Sequence, residues 1–133
     1  MAFELKILAW GCVLALVHIL AAGQVRTRQY GRAWNTGARD ETMPPPAPLV
    51  GRLLRAQANY FETFPIVAAA ILIDAAAGLF DSGTRIGAML WLGARIVYLP
   101  LYAAGVPVVR TIVWTVSALG LVLLLWPAVA QTF

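Results

Sequence analysis

Between Arg55 and Pro65 the chain reads Arg-Ala-Gln-Ala-Asn-Tyr-Phe-Glu-Thr-Phe-Pro, and from Ile66 to Ile73 it carries no charge. Arg55, Gln57, Asn59 and Glu62 therefore stand at the mouth of an apolar stretch, where burial alone would select Leu or Val. At 3.6 residues per turn Arg55, Asn59 and Glu62 (i, i+4, i+7) share one helical face. A second group, Arg95, Tyr98 and Tyr102, falls at i, i+3 and i+7 of another apolar stretch, and Arg110-Thr111 opens a further one. A charge at a bilayer centre costs about 2.5–3.5 kcal/mol on insertion scales, so such groups persist near the interface, paired or in use. Several arginines with a carboxylate, amides and phenols suit a small ligand carrying carboxylates and an ammonium group. Guanidinium forks bind carboxylates through two parallel hydrogen bonds, while Glu62 can hold an ammonium or orient an arginine.

The elements that must position these residues follow from hydropathy. With 61% hydrophobic and 12% charged residues in 133, the chain has too little polar surface for an ordinary soluble domain. Four apolar stretches, at about 5–23, 57–79, 84–104 and 108–130, are long enough to cross roughly 30 Å of hydrocarbon. The expected fold is an all-α membrane protein, one four-transmembrane-helix bundle spanning residues 1–133. The first stretch is read as a retained helix, because Glu4 and Trp10 fit a cleaved leader poorly. Turn signals separate the others: Gly78 with Asp81-Ser82-Gly83, then Gly105-Val106-Pro107. Pro100 is expected to disturb the helix between the two tyrosines.

Residues 24–54 form the basic, proline-containing first loop, with Arg26, Arg28, Arg32, Arg39 and Arg52, whereas the second loop has only Arg85. The positive-inside bias then places this loop and the polar site in the cytoplasm, with both termini on the opposite side. The net charge of +4 and pI near 9.8 sit in one juxtamembrane segment. That pattern points to topology and contact with anionic membrane lipid headgroups rather than to nucleic acid. The run Met43-Pro44-Pro45-Pro46-Ala47-Pro48 reads as a stiff spacer, with Asp40 before it free to pair with an arginine. Cys12 is expected to be a packed hydrophobe and His18 a hydrogen-bonded structural residue; a lone His and a lone Cys make no metal site.

In these motifs the chain resembles the MAPEG superfamily, the membrane-associated proteins of eicosanoid and glutathione metabolism. Gln24-Val25-Arg26-Thr27-Arg28 is similar to the end of the first helix in the prostaglandin-E-synthase branch. The segment from Arg55 to Asn59, with Glu62 and Pro65, is similar to that branch and to the leukotriene-synthase branch, and Arg95, Tyr98 and Tyr102 match the third-helix pattern. The resemblance implies glutathione as cosubstrate, held by Arg26, Arg55, Gln57, Asn59, Glu62, Arg95, Tyr98 and Tyr102. It implies that Arg110 stabilises the thiolate, with Thr111 or Tyr102 as hydrogen-bond donor, and that the site lies between subunits of a homotrimer. Contributions from the second and fourth stretches are expected to come from different subunits. Ala58 stands where the prostaglandin branch has a basic residue and Thr63 where the leukotriene branch has a tyrosine, which argues against either specialised eicosanoid activity.

The expected function is that of an integral membrane glutathione-dependent transferase or peroxidase for detoxification, acting on a lipophilic electrophile or lipid hydroperoxide. The family also contains a noncatalytic lipid-presenting member, so a binding protein of the same fold is the alternative. A small multidrug transporter fits the length, but such proteins need a carboxylate deep in the first helix, and Glu4 lies at its edge.

Overall fold

The computed structural model describes all 133 residues. Its helices are α1 (Phe3–Tyr30), the short α2 (Arg32–Thr36), α3 (Pro48–Ala77), α4 (Ser82–Ala103) and α5 (Val108–Ala130). There is no strand, and α1, α3, α4 and α5 are long and apolar enough to cross a membrane. The protein is an all-helical four-span membrane bundle.

Two helices outrun their apolar stretches. α1 continues past residue 23 to Tyr30, so the Gln24–Arg28 motif is helical, and α3 begins at Pro48 rather than near residue 57. Hydropathy marks only the part immersed in hydrocarbon, whereas helical hydrogen bonding continues into the polar interface. Pro48 favours a start there because the first helical position needs no N–H, and Val50 and Leu53 at i and i+3 bury that first turn. The connection expected over 24–54 accordingly shrinks to residues 31–47. Its prolines lie against the end of α1: Tyr30 donates from its hydroxyl to the Pro44 carbonyl at 2.7 Å, and Gln29 donates to Pro45 and accepts from the Ala47 N–H. Arg39 in this connection is committed to Asn35.

At the far end, α3 stops at Gly78, whose φ of 68° suits a residue without Cβ. Asp81 then caps α4 in a reciprocal pair with Thr84, and the Thr84 hydroxyl also donates to Glu4 at 2.8 Å. Glu4, at the edge of α1, is thereby buried rather than available as a pathway carboxylate. α4 runs through Pro100 without a break. The ring removes one ladder hydrogen bond, and the loss is tolerated one turn from the helix end. There Arg52 of α3 donates through Nε to the Ala103 carbonyl at 2.9 Å, satisfying a C-terminal acceptor of α4.

α3 and α4 both pack on α1 and on α5, while α1 and α5 do not meet. The closest approach is between α4 and α5. A Cβ added at Gly120 would lie 2.6 Å from the Gly87 carbonyl oxygen and 2.7 Å from the Trp91 nitrogen. Only small residues allow backbones this close, the usual device for joining helices in lipid, where apolar burial gives no net drive. The core groups Leu14, Tyr60, Val67, Ile71, Trp91 and Leu124. Only 24 of 133 residues are buried within the chain, so most apolar side chains face outward, towards lipid or other copies. Cys12 is among the exposed residues, contrary to the packed position expected; its face of α1 turns out of the bundle. His18 is buried as expected but not hydrogen-bonded: it stacks on Tyr60 with ring centroids 4.6 Å apart, and both ring nitrogens lack a partner.

Candidate ligand site

A cleft of about 450 Å³ opens on the side of the bundle between α3, α4 and α5. The helical repeat of α3 aligns Arg55, Asn59 and Glu62 along one wall, as the i, i+4, i+7 spacing requires. Tyr98 and Tyr102 form the back, their rings meeting edge to face at 5.5 Å. Arg110 and Thr111 close the third side from the first turn of α5. The volume lies within the range of about 300–1,000 Å³ usual for small-molecule sites.

Tyr102 organises the cations. Arg55 donates through Nε to its hydroxyl at 3.3 Å, and the Arg110 guanidinium lies 4.4 Å from the centre of its ring. The phenol oxygen thus accepts from Arg55 while its own proton stays available to a ligand. Stacking on the ring holds the Arg110 charge in place without consuming its N–H donors. Thr111 is differently placed, because its hydroxyl donates back to the Pro107 carbonyl at 3.2 Å. Of the two candidate donors to a ligand atom, Tyr102 is the freer.

Arg95 lies beneath the cleft rather than on its wall. It is fully buried, donates through Nη1 to Asn59 Oδ1 at 2.8 Å, and packs against the Tyr98 and Tyr60 rings at 4.6 and 5.3 Å. A desolvated guanidinium needs such partners. Its effect here is to turn the Asn59 amide so that its N–H donors point away from Arg95. Tyr60, which sequence reasoning passed over, anchors this layer by donating to the Gly11 carbonyl of α1 at 2.6 Å. Trp114 and Ala58 also line the cleft and were not anticipated. The i, i+4 spacing of Arg110 and Trp114 was the available signal.

Two expected residues stand apart. Arg26, near the end of α1, sits 5.5 Å from the Trp34 ring centre, and Gln57, two residues from Arg55, lies on roughly the opposite face of α3. Neither lines the cleft. Arg55 of the second stretch and Arg110 of the fourth, expected to serve one site from different subunits, flank Tyr102 within a single chain.

With this arrangement in view, the family comparison is decisive, since residues 7–130 match the MAPEG family. The chain belongs to the MAPEG family. The match covers α3, α4 and α5, all of α1 from Ile7 onward, the Arg26 motif and all three walls of the cleft. MAPEG proteins as a family include membrane glutathione transferases and related enzymes, together with members that do not catalyse. No curated protein and no solved structure matches the chain significantly.

Proposed function

We propose that this MAPEG protein is a glutathione-dependent membrane transferase or peroxidase whose cleft holds glutathione as a thiolate. The observation that carries the reading is the set of donors and acceptors gathered in one cleft: two guanidiniums, a carboxylate, an amide and a phenol with a free proton. Arg55 and the Asn59 amide suit the carboxylates of the tripeptide, and Glu62 suits its ammonium group. The sulfur then lies towards Arg110 and Tyr102. The bound thiol loses its proton to solvent, Arg110 balances the negative charge, and the Tyr102 hydroxyl donates a hydrogen bond to the sulfur. The thiolate attacks the electrophilic carbon of an apolar acceptor, opening an activated double bond or strained ring or expelling a leaving group to solvent. With a lipid hydroperoxide it attacks the terminal oxygen, the O–O bond breaks and the alkoxide leaves and takes a proton from solvent; a second glutathione then converts the resulting sulfenic acid to the disulfide with loss of water. Ala58 and Trp114 offer the apolar side of the cleft to that second substrate. Calorimetric titration of the detergent-purified protein tests the binding half of the proposal. Saturable heat with glutathione and with a sulfur-free analogue is expected; no heat with either removes it.

Arg26 and Gln57 take their place if a neighbouring copy supplies them, completing the site at a subunit interface of a homotrimer. Mixing Arg26→Ala chains with Arg110→Leu chains should then restore part of the conjugation activity, because some interfaces regain both residues. Mixing Arg55→Ala with Arg110→Leu chains should restore none, since each cleft keeps one defect. No recovery with the Arg26 pair, in oligomers verified as mixed, would make the site a single-chain one.

The arginine bias of residues 26–55 orients the cleft to the cytoplasm with both termini opposite. A reporter inserted between Arg39 and Pro48 is expected to be cytoplasmic, and one at Phe133 is not. The reverse labelling would invert this orientation.

A further inference from the structure

A second cleft, of about 860 Å³, lies on the outer side of α1 and is independent of the glutathione reading. Leu14, Ala15, His18 and Ala22 turn inward, which leaves Leu20, Gln24 and Arg28 as an exposed i, i+4, i+8 stripe on the opposite face. At 1.5 Å per residue Arg28 stands about 12 Å along the axis from Leu20. Arg32 and Asn35 of α2 close the polar end, Ile19 widens the apolar end, and no carboxylate lines the cleft. A Cβ at Gly23 would meet nothing within 4 Å, so the waist between the two ends is open. The other arginines nearby are engaged: Arg26 and Arg39 stack on Trp34, and Arg39 is bonded to Asn35. Arg28 and Arg32 are exposed.

We propose that this cleft binds an anionic phospholipid, with the headgroup phosphate on Arg28 and Arg32 and the acyl chains along Ile19 and Leu20. Arg28 about 12 Å along the helix from Leu20, with Arg32 at the same polar end, matches a molecule that is anionic at one end and hydrocarbon at the other. Free phosphate shares the first half of that chemistry but not the second, and a second copy of the chain would have to offer an acidic group against both arginines.

Native mass spectrometry of the detergent-purified full-length protein tests this with phosphatidylglycerol, phosphatidylcholine and inorganic phosphate as probes. Phosphatidylglycerol is expected to be retained in preference to phosphatidylcholine. Its affinity should fall roughly 30-fold in the Arg28→Gln/Arg32→Gln variant, the loss of two juxtamembrane cations, and stay unchanged in Arg39→Gln. Leu20→Gln keeps both arginines and should weaken retention severalfold, which preserves the test if the double variant misfolds. Equal retention of the two lipids, or undiminished phosphatidylglycerol binding in the double variant, would overturn the proposal. Complete displacement by an equal concentration of inorganic phosphate would make it a phosphate site instead. A photo-crosslinker at Leu20 should capture lipid; capture of a second copy would make the cleft a subunit interface and end the lipid reading.

Discussion

Replacing Arg110 by leucine is expected to slow conjugation at pH 7 by about ten- to thirtyfold while leaving the binding of a sulfur-free glutathione analogue nearly unchanged. A free thiol of pKa about 8.5 is only about 3% ionised at pH 7, and each unit of lowering needs about 1.36 kcal/mol of preferential thiolate stabilisation. A guanidinium stacked 4.4 Å from the Tyr102 ring, at the wall of a cleft, can supply one or two such units. Ionisation cannot exceed completeness, so the gain at pH 7 has a ceiling of roughly thirtyfold. The sign with pH follows. In the proposed site the thiol pKa is lowered, so the advantage of Arg110 should be largest below the free thiol's pKa and vanish above about pH 9, where the thiol ionises unaided. The measurement is kcat/KM against pH for both proteins, checked for equal oligomer size. A deficit of the same size at every pH would mean that Arg110 positions the ligand and does not ionise it. Wild-type rates throughout would leave it a lipid-contact or topology arginine.

Arg55→Ala should act on binding instead, weakening glutathione by about tenfold or more, because a hydrogen bond to a charged group is worth about 1.5–3 kcal/mol. KM should rise, with a smaller change in kcat. Some loss of rate is nonetheless expected, since Arg55 Nε also holds the Tyr102 hydroxyl. The sulfur-free analogue separates the two arginines: Arg55→Ala should lose it and Arg110→Leu should not. Equal analogue affinity in Arg55→Ala and wild type would remove Arg55 from the ligand-binding wall.

The cleft was readable in the sequence to the extent that it obeys helical periodicity. Arg55, Asn59 and Glu62 repeat along one face, Tyr98 and Tyr102 along another, and each face is fixed by local geometry alone. Relations between helices were not readable in this way. That Arg95 serves Asn59 from below, or that Tyr60 ties α3 to α1 through Gly11, depends on packing that no single-helix pattern encodes. The same holds for Gly87 against Gly120, where the meaning of each glycine lies in the opposite backbone. The ends of α1 and α3 were missed for another reason, because hydropathy reports depth in the bilayer and not helix length. Arg26 and Gln57 carry the family's motif but lie off the cleft of their own chain, and a sequence motif does not say which copy of a chain a residue serves.

Glutathione added to the purified wild-type protein at pH 7 should produce the ultraviolet absorbance of a thiolate, rising to saturation with the same midpoint as the binding heat and largely absent in Arg110→Leu. Binding heat without any thiolate absorbance in the wild type would contradict an arginine-stabilised thiolate and leave a glutathione-binding protein without the proposed chemistry.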